Sequence, residues 1–231
     1  MVLPGAPWGT RQPGQTGRVD PLLATWTDAL GTRPDVLAAG RELLARWDEP
    51  HRRYHDRRHL AEVLAALREL VAERDLPVEV VCAAWLHDAV HDGRDDDEER
   101  SAELALQLLT DLGVAPDVVD EVARLVRLTV THDPRPDDAS GALLSDADLA
   151  VLGAGADRYA RYAADVRAEY AHVDDEAFRS GRTAVLRSLL ELPRLYATDA
   201  GQRRWEQAAR CNLQDEIRRL AGPSDGAAPL P

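Results

Sequence analysis

Val80-Val81-Cys82-Ala83-Ala84-Trp85-Leu86-His87-Asp88-Ala89-Val90-His91-Asp92 is the stretch whose reading decides how this chain folds. Seven apolar residues lead into a His-Asp pair, two more apolar residues follow, and a second His-Asp pair closes the run. Pro77 before it and Gly93 after it are helix punctuation. The spacing predicts one helix through both pairs, buried on most of its faces. Burying a histidine beside a carboxylate is unfavourable unless something compensates. A divalent metal compensates well, because it takes neutral imidazole and ionised carboxylate together. A core histidine bonded to a carboxylate, with no metal, is the simpler alternative, and this stretch alone leaves both open.

The surrounding sequence is helical in pattern throughout. Asp20-Pro21 is an N-cap followed by proline at the first helical position, and Gly31 stops a short helix carrying Leu22, Leu23, Trp26 and Leu30. A second helix runs from Pro34 to near Trp47. From Arg57 to about Arg74, Leu60, Val63, Leu64, Leu67, Leu70 and Val71 form an amphipathic stripe, with His59 at its edge near the helix start. After the central run, Arg94 to Glu99 reads as a solvated loop and the acidic first turn of a helix ending at Gly113. Pro116 opens a helix expected to reach His132, and 133–141 is a loop. A short apolar helix over 142–152 contains Asp146 and Asp148. Three more helices are expected near 155–171, 175–191 and 200–220. No alternating segment is long enough for a strand, so the fold class is all-α. A single helical domain is expected over 19–221, between flexible tails at 1–18 and 222–231.

Composition narrows the function. The chain of 231 residues carries a formal net charge of −13, which argues against a nucleic-acid polymer or an anionic membrane as main partner. It leaves room for a small phosphorylated substrate in a locally positive pocket. All 28 basic residues are arginine, so no single arginine marks a phosphate site by its type. Two cysteines, Cys82 and Cys211, make no disulfide framework and fit a reducing cytoplasm. The proline- and glycine-rich N-terminus has no signal-peptide core, and no apolar run approaches a membrane span.

Polar groups stand where they are unfavourable at His59, at His87 with Asp88, and at Asp146 or Asp148. They come from three separate helices. Such a mixed nitrogen and oxygen set suits Mn, Fe, Co, Ni or Mg rather than a closed thiolate zinc site. A six-coordinate ion held this way keeps positions for water and substrate.

At these residues the chain resembles the HD superfamily of metal-dependent phosphohydrolases, most closely the bacterial group of predicted HD phosphohydrolases. The resemblance rests on Tyr54-His55-x-x-x-His59, Leu86-His87-Asp88-Ala89-Val90-His91-Asp92, Glu98-Glu99-x-Ser101-Ala102, Thr131-His132 and Asp146-Ala147-Asp148-Leu149-Ala150-Val151-Leu152-Gly153. It continues through Arg167-x-Glu169-Tyr170, Pro193-x-Leu195-Tyr196 and Ala209-Arg210-x-Asn212-Leu213, covering roughly 50–216. It implies a helical bundle with a metal site in its core, ligated by His59, His87, Asp88 and Asp148. The Ala-Asp-x-Leu context favours Asp148 over Asp146, which is then a helix carboxylate or an acceptor behind the site.

In the same likeness Asp88 helps position a water, and His55 or His132 holds the leaving group or the phosphoryl oxygens. His132 is equally readable as a helix C-terminal histidine. His91 departs from the family, which carries tyrosine there; one turn after His87, it is a further possible ligand. Arg52, Arg53, Arg57 and Arg58 bracket His55 and His59, and Arg58 is the arginine put forward for substrate phosphate. Glu99 and Ser101 sit where the family has a Glu-x-x-Ser-like feature that orients water or substrate, or caps the helix. The implied activity is hydrolysis of a small phosphorylated metabolite such as a nucleotide. Two rivals follow from the same residues: an HD-type di-iron oxygenase with His91 and His132 as extra ligands, and a non-enzymatic ligand sensor.

Overall fold

The computed structural model describes residues 20–72 and 75–221. The two tails expected at 1–18 and 222–231 lie outside the described residues. The described chain is all-α, as its periodicity requires, with ten α-helices and no strand among the described residues. They are α1 (Pro21–Leu30), α2 (Pro34–Trp47), α3 (Arg57–Leu70), α4 (Val78–Leu86), α5 (Asp97–Asp111), α6 (Pro116–Leu128), α7 (Ala139–Asp148), α8 (Ala156–Glu169), α9 (Asp175–Glu191) and α10 (Asp199–Leu220). A 3-10 turn, Leu149–Gly153, follows α7 directly.

Local chemistry sets most boundaries. Asp20 caps α1 by accepting from the Leu22 N–H, with Pro21 at the first position. Asp56 caps α3 by accepting from the N–H groups of Arg58 and His59, which fixes His59 in the first helical turn. Gly113 takes φ +71° just beyond α5, a conformation that suits glycine at a helix end.

Four boundaries differ from the sequence expectation. The central helix stops at Leu86, and His87 to Val90 form turns and bends rather than a further helical turn. In a continued helix the Asp92 N–H would donate to the Asp88 carbonyl. Instead Asp92 N–H donates to Asp97 Oδ2, and the Asp88 carbonyl accepts from buried Arg52 at 2.7 Å. α6 ends at Leu128, with His132 in a left-handed turn at φ +50°. α3 ends at Leu70, where Val71 turns extended; Glu73 and Arg74 lie outside the described residues. The helix bearing Asp146 and Asp148 starts earlier than expected, at Ala139 behind the Asp138 cap, and tightens into the 3-10 turn after Asp148.

Apolar side chains form two clusters. The first lies among α1 to α7 and contains Trp26, Trp47 and Trp85, each wholly buried. Every one of these indole N–H groups is bonded: Trp26 to the Val36 carbonyl at 2.9 Å, Trp47 to the Trp85 carbonyl at 3.1 Å, Trp85 to Thr25 Oγ1 at 3.0 Å. α4 sits at its centre, packed against α1, α3, α5, α6 and α7. The second cluster gathers Tyr54, the 3-10 turn, α8, α9 and α10. Tyr159 and Tyr196 anchor it with hydroxyls on Glu216 and on the Leu149 carbonyl. The polar cluster described next lies where the two meet: the His59 ring stands 6.1 Å from Trp47 of the first and 4.7 Å from Tyr54 of the second.

No helix among the described residues is long and apolar enough to cross a membrane.

Candidate metal centre

Three elements bring their polar residues to one point. His59 comes from the first turn of α3, His87 from the end of α4, and Asp148 from the last residue of α7. His59 Nε2 lies 3.2 Å from His87 Nε2 and 3.0 Å from Asp148 Oδ1, and His87 Nε2 lies 3.5 Å from the same oxygen. Asp88 Oδ2 adds a fourth donor, 3.1 Å from His87 Nε2 and 3.7 Å from His59 Nε2. Adjacent donors each about 2.1 Å from one ion are separated by about 3.0 Å at right angles and about 3.4 Å at tetrahedral angles. The separations among His59, His87 and Asp148 match a shared ion, with Asp88 at its edge.

The proton arrangement points the same way. His87 Nδ1 lies 3.0 Å from the Ala84 carbonyl, which can only accept, so Nδ1 carries the hydrogen. In the neutral ring Nε2 is then a lone pair, aimed at His59 Nε2. That buried lone pair calls for a hydrogen from the His59 ring or for a cation. A carbonyl behind the ring is the usual partner of a metal-bound imidazole. His59, His87 and Asp148 are thus placed to hold a metal ion.

Burial gives the site a closed and an open side. His59 and His87 are 2% and 1% exposed, whereas Asp88, Asp148 and His132 retain 14%, 13% and 20%. The His87 ring packs 5.5 Å from Trp47, so the imidazoles form the sealed floor and the carboxylates the mouth. Burial disfavours the His87 imidazolium, but the Asp88 and Asp148 carboxylates outweigh it and hold its pKa well above the ordinary value. Burial likewise opposes ionisation of Asp88 and Asp148, and the histidines, His87 first, hold both pKa values well below the usual carboxylate range.

The remaining sequence candidates separate clearly. Asp146 and Asp148, two residues apart on α7, point about 200° apart around a helix, so one faces the histidines and the other faces away. Asp146 is buried and accepts from the N–H groups of Ala197 and Thr198 and from the Thr198 hydroxyl, at 2.6, 2.9 and 2.6 Å. It fixes the connection into α10 and is not among the converging donors. His132 Nε2 lies 2.7 Å from Asp148 Oδ2, behind the oxygen that faces the histidines.

His91 does not stack above His87, because α4 has ended. Its Nε2 lies 3.0 Å from Glu169 Oε1, which also bonds His55 Nδ1. His55, His91 and Glu169 form a second group whose donor atoms lie within 4.8 Å of one another. Glu169 Oε2 accepts in addition from the N–H groups of Arg53, Tyr54 and His55. Burial opposes its ionisation, and the bonds from His55 and His91 hold its pKa far below the usual range. Glu169 is the site residue that sequence reasoning missed. The Arg167-x-Glu169-Tyr170 segment marks its position, but nothing local ties it to residues more than a hundred positions earlier.

Arg58 does not present a free guanidinium to this cluster: it bonds Asp165 of α8 at 2.6 Å and the Arg53 carbonyl. Arg52 is buried and clamps the carbonyls of His55, Asp88 and Ala89, and Arg57 bridges Asp20 and Asp48. Glu99 pairs with Arg127 on the surface. Ser101 is wholly buried, its hydroxyl bracketing the N–H and carbonyl of Val90, so it holds the turn that carries Asp88.

Comparison of the chain with protein-family models, with curated proteins and with solved structures finds no match in any of the three.

Proposed function

We propose that this protein is a cytoplasmic, HD-type metal-dependent phosphohydrolase acting on a small phosphorylated metabolite such as a nucleotide. The observation that carries the reading is the convergence of His59, His87 and Asp148, with donor atoms 3.0 to 3.5 Å apart, and of Asp88, 3.1 and 3.7 Å from the two imidazoles. A divalent ion such as Mn, Fe, Co, Ni or Mg, held by these four, supplies Lewis acidity toward a phosphoryl oxygen and lowers the pKa of water.

The chain's own groups divide the remaining work. The Ala84 carbonyl keeps the hydrogen of His87 on Nδ1 and leaves Nε2 free to ligate. His132 bonds Asp148 Oδ2 and thereby turns Oδ1 toward the histidines. Asp88, at the open side and held ionised by the histidines, would ligate the metal and help orient an attacking water. His55 is held by Glu169 at the edge of the same site and faces the leaving group. The absence of a disulfide framework fits the cytoplasm, and the net charge of −13 fits a small substrate rather than a nucleic-acid polymer.

The test is phosphate release from a panel of phosphorylated metabolites after chelation and reloading with Mn²⁺, Ni²⁺, Co²⁺ or Mg²⁺. Release that depends on metal and disappears in Asp88→Asn supports the hydrolase. No release with any metal refutes it and leaves a ligand sensor.

A second reading, a di-iron oxygenase, draws on His132 beside Asp148 and on the His55, His91 and Glu169 group. Two irons per chain with an oxygen-sensitive iron spectrum, and no phosphate release, would establish it.

A further inference from the structure

A cavity of 440 Å³ lies beside the candidate metal centre, lined in part by Tyr54 and His55, whose rings stand 4.7 and 5.7 Å from that of His59. Tyr54 and His55 form its inner wall. Tyr54 also packs its ring 4.7 Å from that of His59, so one aromatic ring separates a metal-ligating imidazole from the cavity. Tyr162, Tyr170 and Phe178 complete the aromatic surround, with Val166 and Val185 between them.

Two cationic groups lie on the wall: the His55 imidazole, paired with Glu169, and Arg182. Arg182 bonds Glu216 at 2.8 and 3.2 Å and stands 5.0 Å from the centre of the Tyr162 ring. Its charge is matched by a carboxylate, so the cavity offers a guest aromatic faces and no unmatched charge from Arg182. The rim is held as well. Arg167 donates to the carbonyls of Tyr170 and Val173 at 2.7 and 3.0 Å and to Asp175, which fixes the connection between α8 and α9. A cavity of this size, built from aromatic walls on fixed elements, has the character of a small-molecule site.

Gly181 is the most telling wall residue. It lies in the middle of α9, where glycine is a poorer helix former than alanine. A Cβ added there meets nothing within 4 Å. Gly181 is exposed at the edge of the cavity, so packing does not demand the glycine and a larger side chain there has room to reach over the opening.

We infer that this cavity binds a flat, uncharged ring, and that the ring belongs to the phosphorylated substrate whose phosphate meets the metal centre. The inference rests on the hydrolase reading for the phosphate and on the cavity alone for the ring. Rings stack on aromatic faces, whereas a charged or strongly hydrated group would lose its water here without a partner. His55 lines the cavity and its ring stands 5.7 Å from that of the metal-ligating His59, so a monoester with its ring in the cavity and its phosphate at the metal carries its bridging oxygen past the His55 imidazole. The walls named here supply shape and stacking rather than a pattern of donors and acceptors. The preference is therefore for a ring as such, whether aryl or nucleobase.

Filling the cavity tests this. Gly181→Leu adds bulk into open space on a helix, and Ala177→Phe does so one turn earlier on the same wall; circular dichroism confirms the helices. The probe is 1-naphthol, which has the ring and no phosphate, titrated by calorimetry into the metal-loaded and the chelated protein. We expect equal binding with and without metal, weakened at least tenfold in both variants. No binding to the parent chain, or unchanged binding in both variants, overturns the inference.

With Mn²⁺ present, hydrolysis of 1-naphthyl phosphate and of adenosine monophosphate should exceed that of glycerol 3-phosphate at least tenfold in kcat/KM. Gly181→Leu should remove that preference while sparing glycerol 3-phosphate. If only naphthyl phosphate is favoured the ring is an aryl group, and if both are it includes a nucleobase. Naphthol binding without phosphate release from any ester would keep the ring site and refute the hydrolase reading, so the two failures are distinguishable.

Discussion

His132 Nε2 and Asp148 Oδ2 are 2.7 Å apart, and His132 is the one non-glycine residue among the described residues with a left-handed backbone, at φ +50°. That conformation is uncommon for a non-glycine residue, although histidine, like asparagine and aspartate, adopts it more readily than most. Here it ends α6 and swings the imidazole onto the far oxygen of a carboxylate whose near oxygen faces His59. Removing such a partner lowers metal affinity by roughly 10- to 100-fold in comparable sites. We expect His132→Ala to fall in that range and to keep its helical circular dichroism. Calorimetric titration with Mn²⁺ measures it, and an unchanged affinity would show that His132 only caps α6.

The two carboxylates of α7 should fail differently. Asp148→Ala removes a converging donor and should reduce metal affinity far more than it reduces metal-free stability. Asp146→Ala strands the N–H groups of Ala197 and Thr198 and the Thr198 hydroxyl, and should cost on the order of 3 kcal/mol of stability. Urea unfolding of both variants, paired with metal titration, checks the contrast. Equal loss of metal affinity in both would place Asp146 at the centre after all.

The pH dependence follows from the direction of the shifts. The pKa of His87 is raised in the folded chain, so in the metal-free protein its ion pairs stabilise fully below about 6.5 and fade as pH rises through the raised value. Those of Asp88 and Asp148 are depressed, so their contribution is present above about 4 and fades as pH falls toward the lowered values. Metal takes the place of the His87 proton. The rise in melting temperature caused by Mn²⁺ should therefore be larger at pH 8 than at pH 6. A metal effect independent of pH across that interval would mean that His87 is not a ligand.

Glu169 ties residues of the α2–α3 connection to the end of α8. Glu169→Ala leaves three backbone N–H groups and the rings of His55 and His91 without their acceptor. We expect a loss of about 3–5 kcal/mol, with increased amide exchange at Arg53, Tyr54 and His55. Denaturant unfolding and hydrogen exchange report the two effects. A stable variant with unchanged exchange would show that the carboxylate is dispensable to this segment.

The sequence by itself determined the helical fold and much of the centre. The 3.6-residue period of Leu60, Val63, Leu64 and Leu67, the proline and aspartate caps and the glycine stops act over a few residues, so they are legible without neighbours. The polar residues His59, His87, Asp88 and Asp148 stand out for the same reason: each interrupts an apolar face, and burial there requires a partner. Tertiary structure decided the rest. The end of α4 at Leu86 depends on Arg52 and Asp97 capturing groups that a longer helix would pair internally, and neither is adjacent in sequence. It also decided between Asp146 and Asp148 as converging donors, because which side of α7 faces the histidines is set by packing. The pairing of His55 and His91 with Glu169 joins two connecting segments to the end of α8. Such a bond depends on where the helices bring distant segments together, and the local pattern that forms each helix carries no record of it.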